Sequence, residues 1–273
     1  MNILNHIPRA LPTTNDRKQI DFEKDKAEKL SVNCITISED PVIAPKIDKP
    51  LSECRVALVA TVGIHTKDDT PFIITGDPSY RIVPGDVSYD DLMITHVRYP
   101  NQAAHEDLDC VYPINTLRKM SDDGTIGSFA PRNFGLMGHI PRVDVLIKQS
   151  AVEIADMLEE DEVDITVLSP GWFMCHQSVG LLQREIESRG IRTASVMHVP
   201  NLAERVRPPR MFIVDAPLGC TFSKPYDFEQ HENIMADVLD FAMHGGKMDY
   251  FISPYKWDDE NGGLIYQPDN QDN

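Results

Sequence analysis

Residues Asp164–Val196 read DITVLSPGWFMCHQSVGLLQREIESRGIRTASV. Ile165–Leu168 is a short apolar run after acidic residues, the pattern of a strand buried on both faces of a parallel sheet. Ser169-Pro170-Gly171 breaks it. Val179, Leu182 and Ile186 then recur at helical spacing, and Gly190 stands where a residue of left-handed backbone closes a helix. A second apolar run, Thr193–Val196, follows. Strand, turn, helix, strand is the unit from which an α/β protein is built. Cys175, His176, Gln177 and Ser178 fall where the first strand hands over to the helix. Unpaired backbone N–H groups there favour an anion and lower a thiol's pKa. Ligands of open α/β sheets bind beyond the carboxyl ends of the strands.

Working outward, Arg55–Val62 (RVALVATV) and Met211–Val214 are further apolar strands, ending at Gly63-Ile64-His65-Thr66 and near Ala216-Pro217-Leu218-Gly219. Leu92–Val97 reads as another strand, with His96 near its end. Helical patterns cover 114–120, 145–160, 177–189 and 228–243. The expected fold is a doubly wound, mainly parallel α/β sheet with helices on both faces. Arg55–Val62, Ile165–Leu168, Thr193–Val196 and Met211–Val214 should be adjacent core strands. Three segments are expected: an N-terminal arm over 1–52 with a surface helix at 21–30, the α/β domain over 53–254, and a loosely ordered acidic tail over 255–273. The glycine-punctuated stretch SDDGTIGSFAPRNFGLMGH (121–139) reads as a loop long enough to be functional.

A net charge of −17 argues against nucleic acid or an anionic membrane as partner. No apolar run approaches the ~18 residues of a membrane span. Five widely spaced cysteines without a CxxC pair fit reduced thiols and a cytoplasmic protein. No GxGxxG, P-loop or GxSxG pattern is present, so no nucleotide cofactor is expected.

The chain resembles the selenoprotein B family, the substrate-reducing subunits of the glycine, sarcosine and betaine reductases and of D-proline reductase. Six blocks in order carry the likeness: VALVATVGIHT (56–66), GDPSYR (76–81), ITH (94–96) with EDLD (106–109) and YPINTL (112–117), DDGTIGSFAP (122–131) with LMGHI (136–140), CHQSVGLLQREIESRGI (175–191) and PPRMFIVDAPLG (208–219). The resemblance implies reductive chemistry on a small amino-acid-like substrate, and a redox motif of selenocysteine or cysteine, two residues, then a CHQ-type segment. Here that motif reads Trp172-Phe173-Met174-Cys175-His176-Gln177. Trp172 therefore stands where the resemblance places the nucleophile, and an indole neither attacks carbon reversibly nor forms a disulfide.

Cys175 is the candidate nucleophile, with His176, His96 or His65 as its base; the usual alternative for a free cysteine is packing. Trp172, Gln177 and Ser178 are candidate substrate contacts, as are Asp77 and Arg81, which equally suit a turn closed by an internal ion pair. His96, Asp107 and Asp109 offer a divalent metal a mixed set of ligands. Cys220, after another strand, is a second thiol that the fold could bring to Cys175. The reading leans to a diverged reductase-family enzyme that cleaves or rearranges a carbon–heteroatom bond. Its competitors are a thiol-dependent reductase working through Cys175, and a non-catalytic binder or scaffold. A thioredoxin-like donor, a reductase-type partner subunit and a homo-oligomer are the expected partners.

Overall fold

The computed structural model describes Lys29 and residues 34–267. Apart from Lys29, the helix expected at 21–30 lies outside the described residues, as does most of the arm. In chain order the strands are β1 Arg55–Thr61, β2 Ile64–Thr66, β3 Tyr80–Pro84, β4 Leu92–Ile94, β5 Ser128–Phe129, β6 Arg132–Leu136, β7 Ile165–Pro170, β8 Arg192–Met197, β9 Arg210–Asp215, β10 Asp249–Trp257 and β11 Leu264–Tyr266. The helices are α1 Gln102–Glu106, α2 Ile114–Asp122, α3 Ala151–Glu160, α4 Phe173–Ser188, α5 Pro200–Glu204 and α6 Phe228–His244. α3 continues a wider π-type turn over Leu146–Ser150, where Ser150 Oγ donates to the Pro78 carbonyl.

Nine strands form one sheet in the order β11-β10-β9-β8-β7-β1-β6-β3, with β5 also on β1. β10, β9, β8, β7, β1 and β6 run parallel, and antiparallel β11 and β3 close the two edges. The four expected core strands are indeed neighbours. All six residues of β7 and of β8 are buried, the reason both read as unbroken apolar or small runs. Two apolar clusters, one to each face, hold the helices. α2 and α6 pack in one with Val56, Leu58 and Ile165; α3 and α4 pack in the other with Ala57, Val59 and Leu168.

Three elements differ from expectation. Leu92–Ile94 does not join the main sheet but pairs antiparallel with β2 in a two-stranded sheet of its own. The stretch 121–139 is not an open loop, since it holds β6, a buried parallel neighbour of β1. Its Asn133, fully buried, donates to the Ala130 carbonyl and accepts from the Leu58 N–H, so a polar side chain completes the ladder where apolar periodicity gives no signal. In the segment from 255 onward the described residues, 255–267, continue β10 and add β11; Tyr255, Trp257 and Leu264 are buried there. Its acidic and glycine-rich composition belongs to the turn between these two strands.

β1 and β7 lie side by side, with Thr61 opposite Pro170 at their carboxyl ends. From β1 the chain leaves toward the face that holds α2, and from β7 toward the face that holds α4. Adjacent strands whose chains depart to opposite faces leave a crevice between them, the place where such sheets bind ligands.

Candidate functional site

Gly171 and Trp172 leave the end of β7, and Trp172 is the N-cap of α4. Cys175 is thus in the first turn, its N–H donating to the Trp172 carbonyl at 2.9 Å. Its Sγ lies 3.7 Å from His96 Nε2. Gly138, just past β6, has φ +80°, and a Cβ there would overlap both Cys175 Sγ and the Thr61 carbonyl. Gly138 thus lets the backbone close over the sulfur, a use only glycine serves without strain. Residues from beyond β1, β4, β6 and β7 therefore meet at one point. Cys175 and His96 converge as expected of residues at strand ends.

Burial pushes the Cys175 thiol up to about 11. The backbone N–H groups of Trp172 and Gly171, the Thr61 hydroxyl and its own N–H oppose this by favouring a thiolate. Desolvation wins, and the sulfur is held protonated inside a cradle of donors. Burial likewise holds His96 down to about 3, reinforced by the Arg98 charge and, when His139 is protonated, by that ring as well, and opposed by the Met137 backbone. His96 Nδ1 accepts from the Arg98 N–H at 3.1 Å, which leaves the ring proton on Nε2. The nitrogen facing sulfur is then a donor, and His96 in this form does not take the thiol's proton.

Outside this sealed pair lies a second layer. The half-buried Trp172 ring carries the Arg98 guanidinium at 5.2 Å from its centroid and meets the His139 ring edge-on at 5.7 Å. Arg98 is exposed and His139 half-buried. Burial, then the Arg98 charge, lowers the His139 pKa, so its imidazole is neutral near pH 7. An exposed guanidinium, an indole face and a neutral imidazole make a mouth suited to a small carboxylate.

The remaining candidates are engaged elsewhere. His176 is fully buried, with Nε2 accepting from the His198 and Val199 N–H groups at 3.2 Å each. Nδ1 faces the Trp172 and Phe173 carbonyls. It clamps the start of α4 to the end of β8, and burial keeps it neutral at about 3. His65 bonds the Thr66 carbonyl and the Thr95 hydroxyl and packs on Phe72. It therefore belongs to the small β2–β4 sheet, not to the group around Cys175. Gln177 Oε1 accepts from the Ile35 N–H, and Ser178 Oγ donates to the Gly138 carbonyl. Because α4 begins at Phe173, these two are interior helix residues rather than open N-terminal donors.

Asp77 accepts from Ser79 and Ile73 and faces Arg81 at 3.9 Å, so GDPSYR closes its own turn. A surface cavity of about 620 Å³ lies beside this turn, against Asp69, Ser79, Arg81, Gln149 and Glu153, away from Cys175. Asp109 caps α2, accepting from Asn115 and Thr116. His96, Asp107 and Asp109 thus do not form one ligand set. Cys220 lies close enough to Cys110 to raise its pKa further. None of the five cysteines forms a disulfide, and all are buried.

Arg98, His139, Thr61 and Gly138 belong to this group without having been expected from the sequence.

The sealed thiol gives a direct expectation. At pH 7 a pKa of about 11 leaves ~1 thiol in 10⁴ ionised, against ~3% for an ordinary cysteine. A disulfide reagent such as DTNB should therefore react with the native chain at least ~100-fold more slowly than with free cysteine. All five thiols should appear only after denaturation. One fast equivalent mapped to Cys175 in the native chain would show that the sulfur reaches solvent after all.

A model of the family described as glycine/sarcosine/betaine reductase selenoprotein B matches residues 25–170. That match ends at the last residue of β7, just before Gly171-Trp172. D-proline reductase subunit gamma of Acetoanaerobium sticklandii is 34% identical over 205 residues, covering 75% of this chain and 84% of that protein. Glycine reductase complex component B subunit gamma of Symbiobacterium thermophilum is 30% identical over 158 residues, 55% of this chain and 35% of its own length. The same component of Carboxydothermus hydrogenoformans is 27% identical over 163 residues, 58% of this chain and 37% of its own. The chain thus spans most of the D-proline reductase subunit and little more than a third of these glycine reductase subunits. No solved structure matches it significantly. Among the described residues no helix is long and apolar enough to cross a membrane.

Proposed function

This chain belongs to the glycine/sarcosine/betaine reductase selenoprotein B family, and from that premise we propose that it is a member diverged at the reacting position. It binds a small carboxylate-bearing, amino-acid-like or carbonyl substrate at the crevice mouth and does not reduce it by dithiol chemistry. One observation carries this reading: Trp172, which stands where the resemblance places the nucleophile, is set between Arg98 and His139, and the thiol of Cys175 is buried. Arg98 holds the carboxylate, the indole covers the substrate's apolar face, and neutral His139 moves a proton in cleavage or rearrangement of a carbon–heteroatom bond. Relatives are named as subunits of reductase complexes, and by analogy this chain works beside a reductase-type partner subunit in a homo-oligomeric assembly. The competing reading, reduction through Cys175 fed by a thioredoxin-like donor, has the burial and protonation of that thiol against it.

The test incubates the purified protein with dithiothreitol and glycine, betaine or D-proline, and separately measures binding of the three by calorimetry. We expect no substrate-dependent dithiol oxidation. For whichever substrate binds, Arg98→Ala should weaken binding ~10-fold or more, the ~1.5–3 kcal/mol of a charged hydrogen bond. Reduction by the unmodified protein that disappears in Cys175→Ala would overturn the proposal in favour of its competitor.

A further inference from the structure

Just before α2 in the chain, Asp107 and Cys110 meet His231, each presenting one donor atom, all within 4.8 Å of one another and all buried. Asp107 follows α1, Cys110 ends the turn after it, and His231 lies in the first turn of α6. Three features distinguish this group from an accidental cluster. His231 is 0% exposed, and its Nε2 lies 3.1 Å from the Lys224 carbonyl. That contact places the ring proton on Nε2 and leaves Nδ1 a bare lone pair, and Nδ1 has no hydrogen-bond partner. A buried polar atom without a partner is rare and costly, and a carbonyl fixing the other ring nitrogen is the usual outer support of a metal-binding histidine.

The Asp107 carboxylate is equally fixed, accepting from the Tyr226 N–H at 2.7 Å on one oxygen and from the Asp109 N–H and the Tyr89 hydroxyl on the other. Finally, one carboxylate and one thiolate would neutralise a dication.

We propose that Asp107, Cys110 and His231 form a binding site for a divalent metal of the zinc class. A mixed nitrogen, sulfur and oxygen set suits zinc better than magnesium or calcium, which take oxygen ligands. Tetrahedral zinc with bonds of about 2.0–2.3 Å holds its ligand atoms roughly 3.3–3.8 Å apart. The three donors therefore need to close by about 1.5 Å at most, within reach of side-chain rotation. The site ties α1 to the start of α6, and it has a line to the crevice: Ser169 Oγ, at the end of β7, donates to the carbonyl of Val111, next to Cys110. The metal would fix the segment on which that strand end rests.

The test uses the full chain without an affinity tag, stripped with a chelator and then dialysed against zinc or cobalt. We expect one metal ion per chain by elemental analysis. The cobalt form should show a thiolate-to-metal charge-transfer band. Cys110→Ser should abolish that band, and His231→Gln should lower affinity at least tenfold; Cys54→Ser should keep both band and stoichiometry. Should either site variant fail to fold, the unmodified chain still decides. Absence of stoichiometric binding by the unmodified chain, or a band that survives Cys110→Ser, would overturn the site.

Discussion

Glu187→Gln should lower the unfolding free energy by about 3–5 kcal/mol, the cost of breaking a buried ion pair from one side. Glu187, near the end of α4, is completely buried and has a charged partner, Arg210, that is equally buried. One carboxylate oxygen also accepts from the Thr193 N–H and hydroxyl at 2.8 and 2.7 Å, and the other accepts from the Ala44 N–H at 2.7 Å. A single side chain therefore ties α4 to β8, β9 and the entering chain at Ala44. Buried Arg192 stands close by, its own guanidinium spent on the carbonyls of Ala242 and Gly245. Loss of the carboxylate leaves two guanidinium groups in the interior without a counter-charge. In a protein stable by about 5–15 kcal/mol that is a large share. Equilibrium denaturation in urea measures it. By contrast Glu232→Gln, which breaks the exposed pair with Lys119, should change little. A loss below about 1 kcal/mol for Glu187→Gln would mean that the pair is not the tie described.

Gly135→Ala is the second large effect. Gly135 pairs with Ala60 on one side and Arg81 on the other, and a Cβ on it would run into the carbonyl and side chain of Ile64, the first residue of β2. β2 has no room to yield. The Gly63 N–H donates to Leu136, and the Gly63 carbonyl accepts from Thr95, both at 2.8 Å. Overpacking of this kind costs ~1–3 kcal/mol and sometimes more, and with backbone as the obstacle we expect the upper end. The displacement should also reach the crevice, since the chain from β4 carries His96 onto Cys175. The expected result is a lower melting temperature together with faster labelling of Cys175. A variant that melts normally and keeps the thiol protected would show that the two sheets are not so tightly joined.

The strands that face helices on both sides were legible because full burial leaves an apolar or small residue at nearly every position, as in RVALVAT and ITVL. β6 was not, because Asn133 and Gly135, chosen for a hydrogen bond and a close approach rather than for apolar area, alternate with its buried Phe134 and Leu136. The meeting of Cys175 with His96 was expected, although β4, which His96 follows, pairs only with β2 outside the parallel sheet. His65 was misplaced because it is the middle residue of β2, bonded to Thr66 and Thr95 within that small sheet. Arg98 and His139 are single polar residues in connecting loops, and nothing in composition separates such residues from ordinary surface. Asp107, expected beside His96 and Asp109, instead has its carboxylate near Cys110 and His231. Its partner His231 is more than a hundred residues away in sequence, a distance at which spacing carries no information.

The central place of β1 has a consequence for how the chain reaches this structure. β1 is made early, yet its two long-lived neighbours, β6 and β7, begin only at Arg132 and Ile165. Until then seven residues, six of them bound for the interior, have no ladder to complete. Contacts so far apart in the chain close large loops before they return any stabilisation, which makes folding slow. During synthesis RVALVAT emerges long before its partners, an apolar segment of high strand propensity with open edges on both sides, the kind of stretch on which nascent chains aggregate and chaperones act.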